Sequence, residues 1–189
     1  NSDYPLTIMA ADGDGARPFL QPRVVGDESS RPFRPRGNIT LKGLHVTAQD
    51  DLGGRTTRML RCSADDIVVT VDDCWFDKDG QSFIRCDNAG MTFKITNSVI
   101  SNIGWPSDPP NGRVIDDRGN AIDTVIFENN TFYNITFTVI RDDGGELSYC
   151  RMKNNTFMNI GNQGIEFGPT AELELTNNLF VNTGFMPTS

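Results

Sequence analysis

The chain has 189 residues, of which 37% are hydrophobic and 22% are charged, so it can build one continuous core and is unlike a disordered chain. Its formal net charge of −8 excludes nucleic acid as the main partner, because phosphate binding needs a basic face. No apolar run approaches the roughly 20 residues that a membrane-spanning helix needs.

Residues 1–37 predict an irregular first coil. Leu6–Ile8 and Pro18–Leu20 are short apolar runs typical of strands, and the turn-forming residues Asp12–Gly15 separate them. The chain begins with Asn1 rather than Met, and no signal peptide is present. We therefore expect a processed or excised piece of a longer chain.

A ten-residue phrase recurs through the rest of the sequence. It reads FENNTFYNIT from Phe127, MKNNTFMNIG from Met152 and LTNNLFVNTG from Leu175, and weaker versions precede these. A repeated unit that cannot bury its own apolar side is typical of a stacked solenoid.

Each repeat supplies three apolar positions. The first column is Leu41, Val71, Ile95, Phe127, Met152 and Leu175; the second is Val46, Phe76, Ile100, Phe132, Phe157 and Phe180; the third is Leu60, Ile84, Ile115, Ile140 and Ile165. Three columns predict a three-sided coil, and β-branched residues and asparagines argue against helices. We predict an all-β fold, a single-domain parallel β-helix of about six to seven coils with its regular part at 38–184.

The phrases NNTFYNIT and NNTFMNIG resemble coils of right-handed parallel β-helix proteins of the pectate-lyase-like superfamily. The opening, Pro5–Leu20 with the later Leu41–Leu44, is similar to the first coils of the chondroitinase B and alginate lyase type, and to β-helix domains of bacterial surface proteins. The resemblance implies a secreted, periplasmic or cell-surface protein. In the lyases of that superfamily, a lysine and an arginine on neighbouring coils act with calcium that carboxylates and an asparagine hold.

One turn position holds asparagine in four coils: Asn102, Asn134, Asn159 and Asn182. Stacked asparagines bond one another and accept the left-handed conformation, so they predict a structural ladder. The second coil has Lys78 at this position, followed by Asp79. A position that departs from the pattern of its neighbouring coils tends to lie at a functional or strained site.

Two inserted loops, Asp50–Thr57 and Trp105–Gly112, leave the same corner on either side of Lys78. They predict a cleft with Lys78 and Asp79 on its floor and Trp105 stacking on a sugar ring. The residues after the turn would complete it: Arg58, Arg61, Arg85, Arg113 and Asp116. The alternative is a solvated turn whose flanking loops cover apolar edges.

The third column is followed by a charged ladder: Arg61, Arg85, Asp116, Arg141 and Glu166. Its alternating part favours structural ion pairs between strands. Arg61 and Arg85 do not alternate, and two adjacent arginines would suit a carboxylate or sulfate group, which arginine grips in a fork.

The column beyond this ladder brings Cys62 beside Cys86, either as a disulfide or as two buried thiols. It also brings Asp117 beside Asp142 and Asp143. These three carboxylates predict either a calcium site, since calcium prefers oxygen ligands, or caps of turns.

Three functions compete on these residues. The first is a polysaccharide lyase, in which Arg85, Arg61 or a metal neutralises a uronate carboxylate while Lys78 removes the C5 proton. The second is a non-catalytic glycan-binding or structural solenoid. The third is a glycoside hydrolase with Asp79 and Asp116 as paired carboxylates. In each, the partner is an acidic polysaccharide or another glycan, and a flanking domain or second copy covers the open solenoid ends.

Overall fold

The computed structural model describes residues 3–11, 15–23, 31–161 and 164–184, and in this part the protein consists of three all-parallel sheets. Sheet A contains β1 (Leu6–Met9), β3 (Ile39–Lys42), β6 (Val68–Asp72), β9 (Met91–Thr96), β12 (Ile122–Glu128), β15 (Leu147–Lys153) and β17 (Thr170–Thr176). Sheet B contains β2 (Phe19–Leu20), β4 (His45–Thr47), β7 (Trp75–Asp77), β10 (Val99–Ile103), β13 (Thr131–Ile135), β16 (Thr156–Ile160) and β18 (Leu179–Thr183). Sheet C contains β5 (Arg58–Cys62), β8 (Ser82–Cys86), β11 (Arg113–Asp116) and β14 (Thr138–Arg141).

The chain visits sheets A, B and C in turn, and each round is here called a coil. All seven described rounds add one strand to sheet A and one to sheet B, and the four rounds from β3 to β14 also add one to sheet C. This path is consistent with the predicted parallel β-helix. Neighbouring strands of a sheet are one coil apart in the chain, so the rest of the coil forms the crossover between them. One short 3-10 helix, Pro109–Asn111, lies in the second inserted loop.

The three predicted columns are confirmed by strand register. Leu41, Val71, Ile95, Phe127, Met152 and Leu175 are successive partners in sheet A. Val46, Phe76, Ile100, Phe132, Phe157 and Phe180 are partners in sheet B. Leu60, Ile84, Ile115 and Ile140 are partners in sheet C. Ile165 lies outside the strands, half-buried against the core.

These columns fill one continuous core along the axis of the stack. Phe132 stacks on Phe157 at 5.1 Å between ring centroids, and Phe157 stacks on Phe180 at 4.9 Å. Each large side chain buried in this way contributes roughly 1.5–3 kcal/mol before entropy is subtracted. The stability of the fold therefore comes from many equivalent side chains stacked along one continuous core.

The last coil leaves core positions uncovered. Leu175 is 49% exposed and Phe180 is 47% exposed, although their partners one coil earlier are buried. Within the described residues no helix is long and apolar enough to cross a membrane.

Two corners carry ladders of asparagines in the left-handed conformation. At the corner between sheets B and C, the predicted ladder is confirmed: Asn134, Asn159 and Asn182 each donate from Nδ2 to Oδ1 of the asparagine before, at 3.0, 3.0 and 2.8 Å, beginning with Asn102. Their φ angles lie between 50° and 56°. The A–B corner has a similar exposed ladder: Asn97, Asn129 and Asn154.

The A–B corner also has a second, buried ladder. Asn130 donates to Oδ1 of Asn155 at 3.1 Å, and Asn155 donates to Oδ1 of Asn178 at 3.0 Å. The same amides donate to main-chain carbonyls of the coil before, as Asn155 does to Phe127 at 2.8 Å. This inward ladder satisfies polar backbone groups that the turn would otherwise leave unpaired.

Candidate functional site

The two inserted loops meet at the B–C corner. The guanidinium carbon of Arg55 in the first loop lies 4.5 Å from the ring centroid of Trp105 in the second. Arg55 also donates from Nη1 to the carbonyl of Gly104 at 3.2 Å. A cation over an indole face is attractive, so this pair ties the loops together.

The predicted cleft between the loops is filled. A Cβ placed on Gly80 would lie 2.9 Å from the carbonyl oxygen of Thr56 and 3.1 Å from Nε1 of Trp105. The main-chain N–H of Gly80 donates to that same carbonyl at 2.8 Å. Trp105, expected to stack on a sugar, is instead packed over the turn, with Arg55 across one ring face.

Asp79, expected to bind substrate, is fully buried, and so no ligand reaches it. Its Oδ1 accepts from the main-chain N–H of Gln81 at 3.0 Å, while Oδ2 has no partner among the described residues. Burial raises the pKa of this carboxyl well above its ordinary value, against smaller opposing effects from main-chain donors and Arg58. Asp79 and Asp116 in turn raise the pKa of Arg58, against the larger lowering by its burial.

Lys78 occupies the asparagine position of its coil with φ 61°, in the left-handed region that its neighbours also adopt. Its main-chain N–H donates to the carbonyl of Ser101 at 3.1 Å. Its side chain is half-buried and forms no ion pair within the described ranges. Arg85 is the fourth residue of β8, about 10 Å along the strand from its start, and it bonds Asp87 rather than Lys78 within the described residues.

Sheet C does bring three predicted arginines together. Arg61 and Arg85 are Cα partners in β5 and β8, and both bond through Nε to the carboxylate of Asp87. The Arg85–Asp87 distance is 2.9 Å. Because only Nε of each is used, the two terminal nitrogens of both guanidinium groups have no bonded partner within the described part of the chain.

Arg58, at the start of β5, completes this group. It donates to Oγ1 of Thr57 and to Oε1 of Gln81, both at 3.0 Å, and pairs with no carboxylate in the described segments. Burial lowers its pKa most, and the like charges of Arg85 and Arg61 lower it further. Asp87 is thus the one described carboxylate that forms ion pairs with any of these three guanidinium groups, while Asp79 and Asp116 act on Arg58 without an ion pair, on a chain whose net charge is −8. We call Arg58, Arg61 and Arg85 the arginine patch.

No family matches this chain. Comparisons with protein-family models, with curated proteins and with solved structures all find no match.

The expected alternation of the charged ladder is only partly formed. Arg85 and Asp116 are Cα partners, but Arg85 bonds Asp87 instead. Asp116 is 2% exposed and lies 3.2 Å from Nη1 of Arg141 and 3.6 Å from Nη1 of Arg113. Asp116 and Arg113 are thus buried in an ion-pair group, and Asp116, like Asp79, is out of reach of a sugar. The hydrolase pair of carboxylates does not fit this geometry.

The three carboxylates expected to hold calcium do not fit a calcium site. Asp117 accepts main-chain N–H groups of Asp143, at 2.9 and 3.1 Å, and of Gly145, at 3.2 Å. Asp142 accepts the N–H of Gly144 at 2.9 Å, and Asp143 pairs with Arg141 at 3.1 Å. Their oxygens cap turns, and no cluster of metal ligands occurs within the described residues.

Cys62 and Cys86 are Cα partners in adjacent strands, and both are buried free thiols in this structure. Burial raises the pKa of Cys62 to about 12, which keeps the thiol protonated and unreactive at neutral pH.

Asp87 and Arg55 were not identified from the sequence. Asp87 lies two residues after Arg85, so it shares that side of the strand, and strand periodicity could have revealed it. Arg55 lies in an inserted loop with no repeat to align it, so no sequence signal locates its contact with Trp105.

Proposed function

We propose that this chain is a right-handed parallel β-helix related to the pectate-lyase-like superfamily, and that it binds an acidic polysaccharide through the arginine patch. The observation that carries the proposal is the excess of guanidinium groups over carboxylates on sheet C of an otherwise acidic protein. The free terminal nitrogens of Arg61 and Arg85 suit the oxygens of carboxylate or sulfate groups on consecutive sugars.

Binding is favoured over β-elimination. Elimination requires a base and a carboxylate-neutralising group at the same sugar, but Arg85 lies about 10 Å along β8 from the corner that carries Lys78. A lyase remains the second candidate, because Lys78 forms no ion pair in the described ranges.

The test is a calorimetric titration with hexagalacturonate, a guluronate hexamer and a chondroitin sulfate hexasaccharide. The double variant R61Q/R85Q should weaken binding by about tenfold or more, since two charge-assisted hydrogen-bonding groups are lost. The control R118Q/R151Q removes the same charge from other faces and should leave affinity nearly unchanged.

Asp87→Asn adds a test that does not depend on loss of a contact. It removes the carboxylate that offsets Arg61 and Arg85, so affinity for the acidic oligosaccharide should rise several-fold. No binding of any acidic hexamer to the wild type, or equal losses in both double variants, would overturn the proposal. If an unsaturated product absorbs in the same mixtures, the protein cleaves the polysaccharide, and the lyase hypothesis would replace the binding hypothesis.

We also propose a secreted, periplasmic or cell-surface location, where acidic polysaccharides occur. A flanking domain or a second copy is proposed to cover the last coil, because Leu175 and Phe180 are half-exposed at core positions.

A further inference from the structure

A groove of about 600 Å³ follows the B–C corner across several coils. The exposed asparagine ladder lines it from Asn102 to Asn182, with Arg55 and Pro106 at the end nearer the inserted loops. We call it the amide groove. It lies on the C-terminal side of the Arg55–Trp105 contact, separate from the arginine patch on sheet C.

The ladder keeps hydrogen-bonding capacity for a ligand. A carboxamide carries two N–H donors and a carbonyl oxygen with two acceptor positions. In Asn134 and Asn159, the ladder uses one donor and one acceptor position of each amide. Both side chains are exposed, so the remaining donor and acceptor positions are accessible.

The main chain of this corner offers no open strand edge to a peptide. The N–H groups of Thr136, Gly161 and Gly184 donate to carbonyls of the preceding coil at 3.0, 2.7 and 2.8 Å. A ligand in the groove therefore meets side-chain amides rather than unpaired backbone, which argues against strand addition.

The charge of the groove argues against a polyanion. Among the described residues that line the groove, Arg55 is the single charged one, and its guanidinium already contacts Trp105 and the Gly104 carbonyl. Neutral amides that both donate and accept match hydroxyl groups, which also do both.

The spacing of the ladder favours a linear ligand that lies along the stack. Successive coils are about 4.8 Å apart, which is comparable to the length of one pyranose unit in an extended chain. Each sugar can then meet one amide, and the exposed Pro106 at one end of the groove offers apolar surface to sugar C–H groups.

We propose that the amide groove binds an uncharged stretch of a linear polysaccharide, with one sugar per coil. This would be a second glycan site, and its test does not depend on whether the arginine patch binds a glycan.

The test uses the Trp75→Phe background, in which Trp105 is the one remaining tryptophan and reports on the end of the groove. Cellohexaose, laminarihexaose and mannohexaose are titrated by fluorescence and by calorimetry. We expect saturable binding of at least one neutral hexasaccharide, and N134G/N159G should weaken it by about tenfold. Glycine accepts the left-handed backbone at both positions, so the fold is kept.

The matched control is N129G/N154G at the A–B corner. These residues have the same conformation, with φ 57° at both, and form the same kind of ladder. The control should bind the neutral hexasaccharide like the background protein, and so should R61Q/R85Q. Absence of saturable binding by both methods for all three sugars, or equal weakening in both glycine pairs, would overturn the inference.

Discussion

The A–B and B–C corners form similar turns with different hydrogen-bonding networks. Both use residues with φ between 50° and 61° in most coils, and both stack their exposed amides. The A–B corner adds a buried ladder of Asn130, Asn155 and Asn178 that bonds the main chain. In the described part of the chain the B–C corner has no such inner ladder, and both inserted loops leave the stack there.

This difference separates a structural corner from a variable one. A turn fixed from inside by buried amides tolerates little change, because each removed amide leaves main-chain groups unpaired in the core. A turn held by its outer ladder and by loop packing accepts Lys78 in place of asparagine, and it carries the amide groove. The two corners should therefore respond differently to equivalent substitutions.

The largest effect is expected from Asn155→Ala. It removes the acceptor of the Asn130 main-chain and side-chain N–H groups and the donor to the Phe127 carbonyl. With three buried groups unpaired, the free energy of unfolding should fall by about 4 kcal/mol. Urea denaturation followed by circular dichroism measures it.

Asn159→Gly at the B–C corner is the paired control for Asn155→Ala. It keeps the left-handed backbone and removes only exposed hydrogen bonds. The free energy of unfolding should therefore fall by less than about 1 kcal/mol. Comparable losses in the two variants would contradict the division between the corners.

The next effect is the pH dependence introduced by Asp79. Its raised pKa means that the folded state holds a proton that the unfolded state releases, so stability is fully present at low pH and is lost as pH rises toward the folded pKa. Asp79→Asn mimics the protonated acid and lacks this loss. The variant should therefore gain stability over the wild type as pH rises from about pH 4, the ordinary pKa of an aspartate, toward neutrality.

Denaturation midpoints of both proteins across that pH range measure the Asp79 effect. At about pH 3, where both states are protonated, the two proteins should converge. A difference that stays constant with pH would show that Asp79 is ionised in the fold.

The smallest effect is expected from Lys78→Asn. The substitution replaces a lysine in the left-handed conformation with asparagine, which accepts it more readily, and extends the amide ladder by one coil. The free energy of unfolding should therefore rise by about 1 kcal/mol. Lys94→Asn on β9, in an ordinary strand conformation, serves as control and should not stabilise. Thermal melting of both variants checks this, and stabilisation by the control alone would refute the strain at Lys78.

Much of the fold was predictable because stacking repeats one constraint in every coil. Leu41 and its partners recur at spacings that the chain must keep if each coil is to bury its apolar side. The exposed ladder from Asn102 followed in the same way. The buried ladder from Asn130 to Asn178 was missed, because in sequence each member stands next to an exposed ladder residue and looks like part of the same turn.

The site was less predictable because it depends on contacts that do not repeat. Arg58, Arg61 and Arg85 were expected near one another, since strand register alone brings them together. The closure of the cleft by Arg55 and Trp105 depends on two loops without a common spacing. The pairing of Asp87 with two arginines depends on side-chain choice among several nearby acids, which register does not decide.

Binding through the arginine patch is tested most directly by nitrogen-15 NMR of the protein titrated with hexagalacturonate. We expect shifts of main-chain signals in β5 and β8 around Arg61 and Arg85, with side-chain amides of Asn97, Asn129 and Asn154 unmoved. Shifts centred on that A–B ladder, or a spectrum that does not change at all, would contradict it.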